Sequence, residues 1–263
     1  MKECPDRLYK YRDLSGTGLG FLERTLLHHE IYLPSPKSFN DPFDCMPDFN
    51  MQSTVEDRVA MYKRALTRLR RDLSLADQEK LAVHLANNPV VDPESEEARV
   101  TMQRLHDEQI RGSIGVYCVT EHPDNLLMWS HYAASHSGVC LEFDSAVIPF
   151  AIAQDVKYQR ARAPVNRAAE ADETSMEKAL LTKSDDWGYE HEWRVVEYQQ
   201  GPGVYEIPES ALTGVILGAR ISHEHEKQIV RWVSQRSPKI PLYRSVPSTT
   251  DFRVTIELYS PRV

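Results

Sequence analysis

Apolar and polar residues alternate with period two along much of the second half of the chain. Residues 252–259 place Phe252, Val254, Ile256 and Leu258 against Arg253, Thr255 and Glu257, the mark of a half-buried strand. In 138–144, Val139, Leu141 and Phe143 share one side, and 114–120 reads as a further strand. Shorter strand patterns fall at 7–11, centred on Leu8, and at 155–158, 193–198, 204–207, 214–217 and 241–244. A different period governs 55–112. Val55, Val59, Tyr62, Leu66, Leu69 and Leu73 step by three or four, which predicts an amphipathic helix.

Local signals punctuate this helical stretch. Ser74 with Asp77 three residues on has capping-box spacing, and Asn87-Asn88-Pro89 ends the helix it opens. Asp92 followed by Pro93 predicts the start of a third helix. Ser222 caps a late one bearing Ile229, Val230 and Val233. Residues 31–45, with three prolines and an Asn-Asp-Pro turn, read as an ordered irregular loop, and 161–182 as helix or loop. Helices segregated from a run of strands point to an α+β fold rather than a doubly wound sheet. The expectation is a single α+β domain over 1–263 with a helical insertion at about 52–112.

Composition narrows the function classes. The chain has 263 residues and a formal net charge of -8, which argues against broad, non-specific nucleic-acid binding. No apolar run approaches the roughly 20 residues of a membrane helix, and no secretory signal is visible. Cys4, Cys45, Cys118 and Cys140 show no CxxC spacing, so reduced thiols in a cytoplasmic protein are expected. The histidines lack an HExxH pattern, and no metal is expected.

Chemistry-bearing residues crowd into two stretches. GVYCVTEHPDNLLMWSHYAASHSGVCLEF (115–143) packs Trp129, Ser130, His131, Tyr132 and His136 into a connection between two strands, where function gathers more readily than in the elements themselves. WGYEHEWRVVEY (187–198) carries Glu190 and Glu192. Read as one strand, it puts both carboxylates and Arg194 on one side. Two such carboxylates serve acid/base work, or they form a solvated ladder at a strand edge.

LYKYR (8–12), PSPKSFNDPFDC (34–45), GVYCVTE (115–121), LLMWSHYAASHSGVCLEFD (126–144) and WGYEHEWRVV (187–196) as a set resemble a bacterial family known only as a domain of unknown function. A weaker resemblance, to the core of the ADP-ribosyltransferase superfamily, supplies chemistry. It rests on Gly115-Val116-Tyr117-Cys118, on the helix with Ser130 and Tyr132, and on the late Glu-Trp-Arg-Val-Val. It implies a mixed, mainly antiparallel split sheet and NAD as a substrate. Under it Tyr117 supplies the middle aromatic of the signature, Tyr132 stacks on the nicotinamide and Ser130 holds its carboxamide. Glu192, with Glu190 beside it, stabilises the developing oxocarbenium charge. The first position of the signature falls within Tyr9, Lys10, Tyr11 and Arg12, and Arg12, Lys183 or Arg194 neutralises the pyrophosphate.

Two functions follow as expectations. The first is an NAD-consuming ADP-ribosyltransferase or glycohydrolase with a small-molecule nucleotide as partner and an acceptor that the residues do not name. The alternative is a nucleic-acid-directed or binding module of a bacterial stress or phage-defence system, or a transferase fold without catalysis. The first predicts that Tyr117, Tyr132 and Glu192 converge on one cleft.

Overall fold

The computed structural model describes residues 2–261. In chain order the strands are β1 (Arg7–Arg12), β2 (Glu30–Leu33), β3 (Asp48–Phe49), β4 (Gly115–Thr120), β5 (Val139–Asp144), β6 (Gln154–Asp155), β7 (Lys157–Gln159), β8 (Pro164–Val165), β9 (Thr182–Ser184), β10 (Glu192–Glu197), β11 (Gly203–Glu206), β12 (Leu212–Leu217), β13 (Leu242–Pro247) and β14 (Val254–Leu258). The helices are α1 (Gly18–Leu27), α2 (Val55–Leu69), α3 (Leu75–Asn87), α4 (Glu96–Leu105), α5 (Leu126–Tyr132), α6 (Asp172–Leu180) and α7 (His223–Gln235). The protein is a mixed α+β structure. Its chain divides into two compact units, one holding 114–156 with the flanking segments up to 35 and from 186 on, the other holding 36–113 and 157–185.

The first unit is built on an eight-stranded sheet in the order β14-β13-β12-β5-β1-β4-β10-β6. Its pairings are antiparallel except β12 with β13. Because both faces are covered, the central strands carry apolar residues on each side, as doubly buried strands do. Leu8, Tyr117, Val119, Leu141, Phe143, Trp193 and Val195 pack with Leu22 and Leu26 of α1 and Ile229 and Trp232 of α7. On the opposite face, Tyr11, Cys140, Ile216 and Val254 pack with Met128, Trp129 and Ala133 of α5 and the turn after it.

The connection from α5 to β5 is shaped by backbone. Ala134, Ser135 and His136 stand in the left-handed region in succession, at φ 47°, 53° and 69°. Amides of Ser135, His136 and Gly138 bond back to the carbonyls of Ser130, Trp129 and Ala133. Gly138 is required there, since a Cβ would lie 2.1 Å from the Arg12 carbonyl oxygen. Trp129 and His136 are therefore packing residues. Their rings stack at 6.1 Å, and the Trp129 indole donates to the Pro123 carbonyl at 2.8 Å.

The second unit holds α2, α3, α4 and α6 with two short parallel pairs, β3–β8 and β7–β9. The hydroxyl of Ser74 accepts the Asp77 amide, as its spacing predicts. Thr54 and Asp57 form a full capping box on α2. The third helix starts later than Asp92-Pro93 suggests. Asp92 instead closes a turn through the Glu94 amide, and Ser95 caps α4 by accepting from Ala98. The Asp44–Lys183 ion pair, 3.5 Å apart, is buried, and the His106 imidazole meets the Cys45 carbonyl at 2.8 Å. Asp41 accepts the Phe43 amide, which is turn chemistry, while Asp44 of the same FNDPFD stretch belongs to the buried ion pair.

Two expectations are corrected. The stretch 31–45 is not wholly irregular: β2 pairs with β11 and sends Ile31 and Leu33 into the core, a strand too short for its alternation to stand out beside three prolines. Residues 187–196 are not one strand. Asp185–Glu190 is a short 3-10 turn, His191 is left-handed at φ 43°, and the ladder begins at Glu192. Among the described residues no helix is long and apolar enough to cross a membrane.

Candidate active site

Thr120, at the end of β4, joins the two carboxylates. Its Cα faces Glu192 across the β4–β10 ladder, and its hydroxyl donates to the Glu190 carbonyl at 2.5 Å. The turn that carries Glu190 is also fixed to α5. The Asn125 side chain caps that helix by accepting the Leu127 and Met128 amides, while its Nδ2 donates to the Tyr189 carbonyl at 2.7 Å. The Tyr189 hydroxyl meets His131 Nδ1 at 3.0 Å. Tyr11 completes the joint: its hydroxyl donates to the His122 carbonyl at 2.8 Å and accepts the Asn125 amide at 3.3 Å.

Glu190 is 3% exposed and accepts a hydrogen bond from the Tyr132 hydroxyl at 2.5 Å, a short contact of the charge-assisted kind. Glu192 is 5% exposed and Arg194 fully buried. They lie two apart on one side of β10, where Arg194 Nε and Nη2 reach the two carboxylate oxygens at 2.8 and 3.1 Å. This fork holds the charge of Glu192 in a place where an unpaired one would be costly. Cys118 faces Arg194 in the ladder. Burial, and then the charge of Glu192, push its thiol well above the usual cysteine range, so it is held as a neutral thiol.

Strand alternation separates the remaining sequence candidates from this cluster. Tyr117 faces Val195, not Glu192, and packs edge-on against Phe143 and Phe150. Among the described residues its buried hydroxyl makes no hydrogen bond of ordinary geometry; burial raises its pKa and the nearby Arg12 guanidinium works against that rise. The Lys10 ammonium lies 5.1 Å from the centre of its ring and the Arg12 guanidinium 5.9 Å. Burial pulls the Lys10 ammonium below the usual lysine range. The structure thus places Tyr132, Glu190, Glu192 and Arg194 on the α5 face and Tyr117 on the other, with Lys10 and Arg12 over its ring, and the charges of Glu192 and Glu190 still reach the Lys10 ammonium and favour it. Tyr11 serves the joint from within the apolar cluster of the α5 face, and Ser130 is exposed on α5.

Residues outside the sequence candidates contribute as well. Thr120, Asn125 and Tyr189 position the carboxylates, and of these only Asn125 carries a local signal, as a polar residue before an apolar helix. Glu121, His122 and His191 place ligand-type atoms within 4.8 Å of one another. Burial raises the Glu121 carboxyl, but bonds from Lys2 and from the Trp193 indole outweigh it and hold it low. Burial and the neighbouring His122 lower the His191 imidazole, which favours the neutral form that binds metal.

Fold and site define a mixed α+β protein with two adjacent buried carboxylates, one bonded to a phenol and one to a guanidinium. The model of a family described as "Protein of unknown function (DUF2971)" matches residues 128–195, and that span runs from α5 to β10 and contains all four of these side chains. The match fits the resemblance carried by the LLMWSHY and YEHEWR motifs. No curated protein and no solved structure matches the chain.

Proposed function

We propose that the protein cleaves the glycosidic bond of a nicotinamide dinucleotide and passes the ribosyl group to water or another acceptor, using the carboxylates of the α5 face. The observation that carries this reading is the buried Glu190–Tyr132 bond beside the Glu192–Arg194 pair. When the bond from the ribose carbon to the pyridinium nitrogen breaks, its electron pair stays with the nitrogen, and nicotinamide leaves neutral. Positive charge builds on the sugar. A fixed carboxylate in a water-poor setting stabilises that charge without reorganisation, and the second carboxylate takes the proton of the incoming nucleophile. Tyr132 orients Glu190, and Arg194 keeps Glu192 anionic. Tyr117 lies on the opposite face, so the convergence with Tyr132 and Glu192 expected from the sequence is not met, and the reading rests on the carboxylate cluster without it.

The test is nicotinamide release from NAD by the purified protein, with cell lysate supplied as acceptor. Release is expected, lowered 100-fold or more by Glu190→Gln or Glu192→Gln with unfolding transitions retained. Absence of both binding and consumption of NAD sinks the reading. A second reading, metal-dependent phosphodiester chemistry in a nucleic-acid-directed module, is favoured by the Glu121–His122–His191 cluster alone. It predicts nuclease activity that EDTA and His191→Ala both abolish, whereas NAD cleavage at the carboxylates is indifferent to EDTA.

A further inference from the structure

The helical unit contains a cavity of about 350 Å³ whose wall includes Met61, Tyr62, Leu85, Ala98, Met102 and Arg167. This volume lies within the roughly 300–1,000 Å³ typical of small-molecule sites. A second cavity of about 270 Å³ adjoins it and shares Met61, Tyr62, Met102 and Arg167. Apolar side chains predominate, and methionines adapt to ligands of irregular shape.

Several polar groups on the wall are committed elsewhere. Arg58 donates to the Ser53 and Ala86 carbonyls, and Asn166 is bound to the Gln52 carbonyl and the Ala168 amide. Asn88 bonds back to His84, and Asn50 accepts the Gln52 amide. Arg167 lines both cavities, yet among the described residues its guanidinium has no hydrogen bond and no ion pair. Asp172, which lines the second cavity with Arg167, is held by Arg64 and Arg68. Those two arginines and burial disfavour the charge of Arg167. Among the described residues this half-buried cation, with like charges near it and an apolar hollow bordering it, has no carboxylate paired to it.

We infer that this cavity binds a free anionic amphiphile, a small molecule with an aliphatic body and a carboxylate or similar head, the head pairing with Arg167 and the body lying among Met61, Tyr62, Leu85 and Met102. The inference stands apart from the carboxylate site and does not depend on NAD chemistry.

Calorimetric titration of the full chain with decanoate, 1-decanol and decyltrimethylammonium, each below its aggregation concentration, tests it. Decanoate is expected to bind one to one and at least ten-fold more tightly than decanol, and the ammonium not to bind. Arg167→Gln should remove the advantage of decanoate over decanol, and Arg167→Lys should restore part of it. Met102→Trp should block both ligands by filling the cavity. If that variant fails to fold, the Arg167 pair still decides. Equal affinity for decanoate and decanol, unchanged affinity in Arg167→Gln, or sedimentation with phosphatidylglycerol vesicles in place of decanoate binding would each overturn the inference.

Discussion

The two faces of the large sheet use tyrosine in opposite ways. On the α5 face the Tyr132 hydroxyl is spent on a buried carboxylate, in a group where each charge has a partner. On the other face the Tyr117 hydroxyl has no carboxylate partner among the described residues and only Arg12 near it, and its ring packs between Phe143 and Phe150, with Lys10 and Arg12 over it. The first is a polar cluster that apolar packing does not require. The second is a core aromatic whose hydroxyl adds nothing to the fold. Burial alone does not mark a functional tyrosine; what the hydroxyl is bonded to does.

The largest effect that sharpens this contrast is expected from Arg194→Met. It takes the guanidinium fork away from the buried Glu192 carboxylate, which should cost about 3–5 kcal/mol and show as a fall in the urea midpoint. Adding Glu192→Gln should recover most of the loss. A single variant as stable as the parent would mean that the pair is open to water. Next come two phenylalanine substitutions. Tyr132→Phe removes a hydrogen bond to a charged group and should cost about 1.5–3 kcal/mol. Tyr117→Phe removes a buried hydroxyl that has no hydrogen bond of ordinary geometry among the described residues, and should be close to neutral. Equal effects in denaturant titrations would erase the difference between the faces.

Smaller still are the alkaline slopes. The folded Cys118 thiol titrates above its ordinary value because of burial and Glu192. Its contribution is whole below about pH 8.5 and is lost as pH rises. Lys10 titrates below its ordinary value because of burial, so stability climbs as pH approaches about 10.4 from below. Stability measured from pH 8 to 10.5 should therefore fall less steeply in Cys118→Ala and more steeply in Lys10→Met. Parallel curves for the two variants would show that neither group is linked to folding.

Much of the fold was legible because the strands obey period two and the helices carry caps. Val139, Leu141 and Phe143 do share a face, and Ser74 and Ser222 do cap helices. The site was legible only in part. Glu190, Glu192 and Tyr132 stand out as polar or amphipathic residues among apolar ones, but the residues joining them do not. Nothing in Tyr-Glu-His-Glu announces a 3-10 turn broken by a left-handed histidine. GVYCVT is apolar on both sides, so its own pattern does not say which face Tyr117 joins. That is decided by pairing with β10, more than seventy residues on. The empty hollow beside Arg167 has no local signature at all, since its wall is assembled from helices and a loop distant in sequence.

The left-handed turn at His191 gives the two carboxylates different lifetimes. Glu192 is tied into an internal strand with neighbours on both sides. It leaves its place only when the sheet opens, an event near the free energy of global unfolding. Glu190 belongs to a six-residue turn held by Thr120, Asn125 and Tyr132, and a turn of that kind can detach while the ladder stays closed. One carboxylate thus persists as long as the fold does, and the other can exchange with solvent many times within that span.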